Sequence, residues 1–192
     1  MTISARSEAI AIAQQKLDLT PIYLDTETTG IDKTSEIVEI AIIDHTGTTI
    51  FHSLVKPSRP IPADVIKIHG ITNEMVKDAP SWYNVWPEVY RLVQGKVIGI
   101  YNAEYDQRLI LQTNRRYGLS SSLETNANTF CIMKLFAQYY GEWDRGRSAY
   151  RWQSLDSARM HCNIPIPNSH RALEDARLAL GVLHHMAGRS YE

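Results

Sequence analysis

The chain has 192 residues, about one domain at roughly 150 residues per domain, and enough to bury a core without disulfides or a structural metal. Its 44% apolar and 21% charged residues exclude a disordered or collagen-like chain, and its two cysteines, Cys131 and Cys162, exclude a disulfide framework and point to a reducing cytoplasm. A net charge of −1 excludes the strongly basic surface that grips many phosphates along a duplex, so any contact with nucleic acid is expected to be short and local. No apolar run approaches the roughly 18 residues that span a bilayer, and the start MTISARSEAIAIAQQK lacks a secretory pattern, so no membrane partner is expected.

In chain order, residues 4–17 place Ala9, Ile10, Ala13 and Leu17 at helical spacing, an N-terminal helix ahead of the first strand. A short strand, IYLD, follows Pro21. Residues 36–43 and 48–55 are β-branched and apolar, and the turn-forming Asp44-His45-Thr46-Gly47 between them makes a hairpin. Residues 56–62 are a proline-studded connection, and 63–78 hold two short helical pieces around an IHGIT stretch. A helix over 81–94, a buried strand over 97–101 and a helix over 104–117 ended by Gly118 come next. A polar loop over 119–128 leads to a strand and helix over 129–140, and an irregular loop over 142–151 to a helix over 153–163. The last helix runs from about Ser169 to Met186. A hairpin first, then strands alternating with helices, predicts an α/β fold: a mixed sheet with helices on both faces. No linker divides the chain, so 1–192 is expected to be one unit, a helical extension over 1–19 and a core over 20–188.

Three motifs carry carboxylates. In Leu24-Asp25-Thr26-Glu27-Thr28-Thr29-Gly30, Asp25 and Glu27 alternate along a strand and share one face. Like charges so placed persist when a cation neutralises them or one stays protonated, and oxygen donors suit Mg²⁺ or Mn²⁺. A turn after a strand explains the same residues more plainly. In Gly99-Ile100-Tyr101-Asn102-Ala103-Glu104-Tyr105-Asp106, a strand ends and a helix begins, and Asp106 falls in its first turn, favoured there by the helix dipole or delivered to the sheet's carboxyl edge. In Ser169-His170-Arg171-Ala172-Leu173-Glu174-Asp175, the five steps from His170 to Asp175 rotate by roughly 500°, so the two cannot share one regular helical face. His170 is therefore expected at the helix entry, Asp175 facing the sheet, Glu174 facing solvent, and Asn168 or Ser169 as the cap.

Together, Asp25-x-Glu27 with Thr-Thr-Gly, Asp106 after Asn-Ala-x-aromatic, and His170-x4-Asp175 resemble the DEDDh 3′–5′ exonucleases, the family of the polymerase III proofreading epsilon subunit and of ribonuclease T. The resemblance covers about residues 20–186 and includes Ile68-His69-Gly70-Ile71-Thr72, which looks like the family's segment beside the terminal nucleotide. The family often has His-Asn-Ala where this chain has Tyr101-Asn102-Ala103. The resemblance implies a ribonuclease H-like sheet, its first three strands antiparallel and the later ones parallel to the first. It implies two divalent ions, Mg²⁺ or Mn²⁺, on Asp25, Glu27, Asp106 and Asp175, with His170 as general base. The implied substrate is a single-stranded DNA or RNA 3′ end, and the implied product a nucleoside 5′-monophosphate.

Thr28, Thr29 and Gly30 are expected to offer backbone N–H groups beside the metals, with His69 and Ile71 packing on the terminal base and Asn102 at the substrate edge. A simple turn explains His69-Gly70 nearly as well. The loop over 142–152 interleaves Trp143, Arg145, Arg147, Tyr150, Arg151 and Trp152; a single strand is the better reading of the arginines, and a solvated, mobile loop with half-buried rings the better reading of the tryptophans. Arg108, Arg115 and Arg116 read as an exposed helix face, and His184 and His185 as cations complementing the end of the last helix. The chain ends 17 residues past Asp175, so a stable polymerase tether is not expected, and the N-terminal helix either covers the sheet or makes a homodimer contact. The competing classes are a non-catalytic nucleic-acid- or polymerase-binding subunit and a phosphodiesterase for other small nucleotides.

Overall fold

The computed structural model describes residues 4–119, 128–167 and 169–190. Most of the loop expected over 119–128, and Asn168 as a cap, lie outside the described residues.

The chain opens with α1 (Ala5–Asp18), whose Ser4 hydroxyl accepts from the Ser7 N–H as an N-cap. Next come β1 (Ile22–Thr28), β2 (Ile37–Ile43) and β3 (Thr49–Leu54), then α2 (Ala63–His69), α3 (Asn73–Val76) and α4 (Trp82–Val93). β4 (Val97–Ile100), α5 (Ala103–Arg116), β5 (Asn128–Cys131) and α6 (Ile132–Tyr140) follow. The last elements are β6 (Trp143–Asp144), β7 (Ala149–Tyr150), α7 (Leu155–His161) and α8 (Ala172–Met186).

Five strands form one sheet in the order β3-β2-β1-β4-β5, with β2 antiparallel to β1 and β3, and β4 and β5 parallel to β1. This is the mixed ribonuclease H-like arrangement the sequence implied. The segment over 142–151 departs from its expected irregularity: β6 and β7 pair as a small antiparallel hairpin, with Trp143 opposite Tyr150.

Alternation along β1 sorts the core into two layers. Tyr23 faces a cluster built from α1, α6, α7 and α8, through Ala13, Phe136, Ala158 and Leu180. Ile22 and Leu24 face a cluster built from α4 and α5, through Trp82, Trp86, Leu109 and Ile110. α1 buries Ala9, Ala13 and Leu17 against α6 and α8, so it covers helices rather than the sheet. Every residue of β2 is buried, Glu39 included. No helix among the described residues is long and apolar enough to cross a membrane.

Two details of pairing place the site. β1 matches β4 only at Ile22↔Ile98 and Tyr23↔Gly99, so β1 runs on past the end of β4. Residues 25–28 are thus held by β2 on one side only, and the carboxyl edge of the sheet opens beside them. The second detail is Gly30, at φ 148°, where a Cβ would sit 3.1 Å from the Ser35 hydroxyl; only glycine lets the chain leave β1 there.

Candidate active site

Asp25 and Glu27 project from β1 on the same face as α8. Asp175, in the first turn of α8, meets them, and oxygen atoms of the three carboxylates lie within 4.8 Å of one another. Asp106 arrives from the opposite layer, in the first turn of α5, where the Thr26 hydroxyl donates to its Oδ1 at 2.7 Å. Thr26 points to the α5 side of β1 for the same reason that Asp25 and Glu27 do not.

The cost of this gathering is visible in the titration of each group. Burial, then the charges of Asp106, Asp175, Glu27 and Glu39, hold Asp25 well above the usual carboxylate range. Burial and the charges of Asp175, Glu39 and Asp106 push Glu27 up to about 9. Burial raises Asp106 to about 7 against the opposing Thr26 bond, and burial with Glu174 and Glu39 raises Asp175 to about 7. The Oδ1 of Asp175 is buried with no hydrogen-bond partner. An orphaned carboxylate oxygen among repelling carboxylates is an acceptor set short of a cation, and hard oxygen donors fit a divalent metal.

His170 occupies the helix entry as expected, exposed and at φ 50°. A left-handed backbone at a non-glycine residue costs roughly 1 kcal/mol, and such strain concentrates at functional sites. The cap of α8 differs from the expectation. Arg171, not Ser169, is the N-cap residue, and its side chain caps nothing. The Glu39 carboxylate does so from β2, its Oε2 accepting from the Ala172 N–H at 3.0 Å. The Arg171 guanidinium grips the same carboxylate, Nη2 at 2.6 Å from Oε1 and Nε at 3.0 Å from Oε2, and the His52 ring bonds Oε1 at 2.8 Å. Burial raises Glu39, but these bonds outweigh it and leave the group below its ordinary value.

Beside the carboxylates lies a cavity of about 480 Å³ bordered by Glu27, Thr28, Gly30, Ile31, Ile68 and Tyr105, among others. Its rim carries Ile31, to which the sequence assigned no role, and Ile68, from the segment expected beside the terminal nucleotide; they are 81% and 59% exposed. Isolated isoleucines in a sequence carry no mark of exposure; only the fold shows them facing an opening. Tyr105, the aromatic of the Asn-Ala-x-aromatic motif, also borders it: its hydroxyl bonds the Thr28 hydroxyl at 2.9 Å and donates to the Gly30 carbonyl at 3.0 Å.

Several expected contacts are not available in this geometry. The Thr29 N–H donates to the Glu36 carbonyl at 2.8 Å and is not offered to the site. The Gly30 N–H leans on the Thr28 hydroxyl at 3.3 Å, leaving it the least committed of that turn. Ile71 has no exposed surface; it packs with Val38, Ile61 and Val76, so it has no face to give a base. His69 borders the cavity but is a strut: its Nδ1 accepts from the Ile71 N–H at 2.9 Å, so Nε2 carries the proton and donates to the Thr28 carbonyl at 3.2 Å. Burial keeps that imidazole neutral. Asn102 is the exposed N-cap residue of α5 with no capping bond from its side chain.

Arg108, Arg115 and Arg116 are exposed, the helix face the sequence predicts; Arg116 also pairs with the buried Glu36 at 3.3 Å, and Arg108 lies over the Tyr105 ring. Two other assignments change. His184 and His185 stand in the last turn of α8, and burial lowers both from their ordinary value, which weakens them as cations there. Glu174 is half-buried and close enough to Asp175 to raise it.

The comparisons agree with this geometry. The family model for RNase_T, described as Exonuclease, matches residues 22–183. An exonuclease of Escherichia phage 186, CP81, is 42% identical over 179 residues, covering 91% of this chain and 92% of its own. The DNA polymerase III epsilon subunit of Pasteurella multocida is 30% identical over 173 residues, covering 84% of this chain and 64% of its own. A solved structure of exonuclease X in complex with 5′ overhanging duplex DNA superimposes with a TM-score of 0.62 at 26% identity, over 88% of this chain and 94% of that one. With an acidic cluster at the carboxyl edge of a ribonuclease H-like sheet and a family model spanning both, the chain belongs to the RNase_T exonuclease family and is a nuclease.

Proposed function

We propose that the protein is a metal-dependent 3′–5′ exonuclease that removes nucleoside 5′-monophosphates from single-stranded DNA or RNA ends. The observation that carries this reading is the convergence of Asp25, Glu27 and Asp175 within 4.8 Å beside a cavity large enough for one nucleotide. Asp25, Glu27 and Asp175 would hold the ions, with Asp106 beside them. Bound Mg²⁺ or Mn²⁺ would neutralise the carboxylates and the scissile phosphate and make water a stronger acid.

The chain's own residues do the rest. His170 takes the proton of the attacking water; an imidazole with an unperturbed pKa of roughly 6.5 is suited to that exchange. Water's oxygen bonds to phosphorus, the bond from phosphorus to the 3′-oxygen of the preceding nucleotide breaks, and that oxygen leaves protonated. Ile31 and Ile68 give the terminal base an apolar contact in the cavity that Thr28 and Tyr105 also line. The strained backbone at His170 holds the imidazole off the regular helix, five residues from the carboxylate it works beside.

The test uses 5′-labelled single-stranded DNA and RNA of equal sequence with Mg²⁺, Mn²⁺ or a chelator. A ladder shortening from the 3′ end, absent with chelator, is expected. Binding without cleavage would instead support a non-catalytic subunit. His170→Ala is expected to lose rate and flatten the acid limb of the pH profile; an unaltered profile would remove His170 as the base.

A further inference from the structure

The site leaves unused the hairpin of β6 and β7. Trp143 and Trp152 are 53% and 55% exposed on and beside it. Large rings left in water mark a surface that meets something. Trp143 stands edge-on to Tyr150, centroids 5.0 Å apart at 80°, which fixes its orientation. The turn between the strands is closed by the Asp144 carboxylate, which accepts from the Gly146 and Arg147 N–H groups at 2.9 and 3.2 Å. Closing the turn this way presents Arg145 and Arg147 at its tip. Arg147 is paired only loosely, 3.9 Å from Asp144, and Arg145 is exposed with no ion pair among the described residues. Arg151, by contrast, braces the base of the hairpin through Glu142 at 3.0 Å.

The root of this hairpin is tied to the site. The Tyr101 hydroxyl donates to the Gln153 and Ser154 carbonyls at 3.0 and 3.1 Å. Tyr101 closes β4 and directly precedes Asn102, the residue from which α5 starts toward Asp106. The tyrosine that stands where the resemblance led one to expect histidine therefore anchors the arm at the open edge of the sheet.

We propose that the hairpin over 142–152 is a binding arm for single-stranded nucleic acid, touching the strand 5′ of the linkage being cut. This rests on the function proposed above: with the terminal nucleotide at the carboxylates, only the upstream chain remains for the arm. Trp143 and Trp152 stack on bases, and Arg145 and Arg147 meet phosphates. Two rings interleaved with cations match a strand that alternates bases and phosphates, and they break up the continuous apolar patch a protein partner would need. At roughly 3.3 Å per residue, a hairpin of this length covers about two to three nucleotides.

The experiment compares a thymidylate of about 20 nucleotides with the trinucleotide, in wild type, W143A/W152A and R145A/R147A. The wild type is expected to show a KM for the long strand at least ~10-fold below that for the trinucleotide, as one stacked base contributes roughly 1–3 kcal/mol. Both variants should raise the long-strand KM by about 10-fold while kcat and trinucleotide kinetics stay unchanged. With chelator present, the long strand should quench tryptophan fluorescence, and R145A/R147A, which keeps both rings, should shift that midpoint upward. Should W143A/W152A fold poorly by circular dichroism, the solvent-facing R145A/R147A decides. Unchanged long-strand KM and unchanged quenching in R145A/R147A would overturn the arm. Quenching in a wild type that cuts neither substrate would keep the arm and overturn the exonuclease reading. Cutting of both substrates with equal KM and no quenching would do the reverse.

Discussion

Glu27 on β1 and Glu39 on β2 are register partners, facing the same side of the sheet, and yet they are opposites. Glu39 is fully buried and held below its ordinary value, because Arg171, His52 and the Ala172 N–H fill its oxygens. Glu27, one strand over, is pushed up to about 9, with carboxylates for neighbours. These paired glutamates thus differ in whether the chain supplies partners for the charge. One site is finished by the protein itself; the other is built to be finished by something that binds.

The largest break in that contrast is Asp175→Ala, which removes the carboxylate with the orphaned oxygen. Nuclease turnover should fall on the order of 10³-fold, with little loss of thermal stability, since the change also relieves repulsion. Near-normal turnover would show that the acidic cluster is not the reacting centre. Next comes Arg171→Ala, which would leave Glu39 buried without its main partner. Urea unfolding should show a loss of about 2–3 kcal/mol, reduced from the fully buried case because Arg171 is half-exposed. The same variant should slow turnover by loosening His170; unchanged stability would mean His52 and the helix amide suffice.

The third prediction concerns pH without metal. The folded chain holds protons on Glu27, Asp106 and Asp175 that the unfolded chain has already released above pH ~4.5. The folded state then binds more protons, so stability falls as pH rises from about 5 toward 9. In chelator, Tm at pH 8.5 should sit several degrees (~5 °C) below that at pH 5.5, and Mg²⁺ or Mn²⁺ should close the gap. A flat profile, or one that metal leaves untouched, would contradict the raised carboxylates. The smallest effect is Tyr105→Phe, which removes the hydroxyl shared by Thr28 and Gly30 and should cost about 1 kcal/mol by urea unfolding. A neutral substitution there would mean that Thr28 and Glu36 hold the turn after β1 without it.

Much of the acidic half of this comparison can be read from residues in a row. Alternation puts Asp25 beside Glu27, and both helix starts that bring Asp106 and Asp175 follow recognisable strand or loop boundaries. Glu39 could have been suspected too: of the two glutamates in EIVEIAII it is the one flanked by apolar residues on both sides, so it must be either exposed or paired, and a strand so apolar leaves it little chance of exposure. Its partners were not legible, since Arg171 lies 132 residues away and pairing over that span is a property of the fold. The same distance explains the misplaced cap of α8, sought among local residues and found on β2. Ile71 and His69 were misread because a short motif does not say which way its side chains turn. The hairpin over 142–151 was missed because two-residue strands carry no periodicity to detect.

The clamp on α8 also sets an order of assembly. Glu39 caps an amide that follows it by 133 positions, so the terminus of α8 can form only after residue 172 has been made. Contacts of such long range form late, after many shorter loops have closed. A chain cut short before residue 172 lacks the amide that Glu39 caps, and with it the helix start that positions His170 and Asp175.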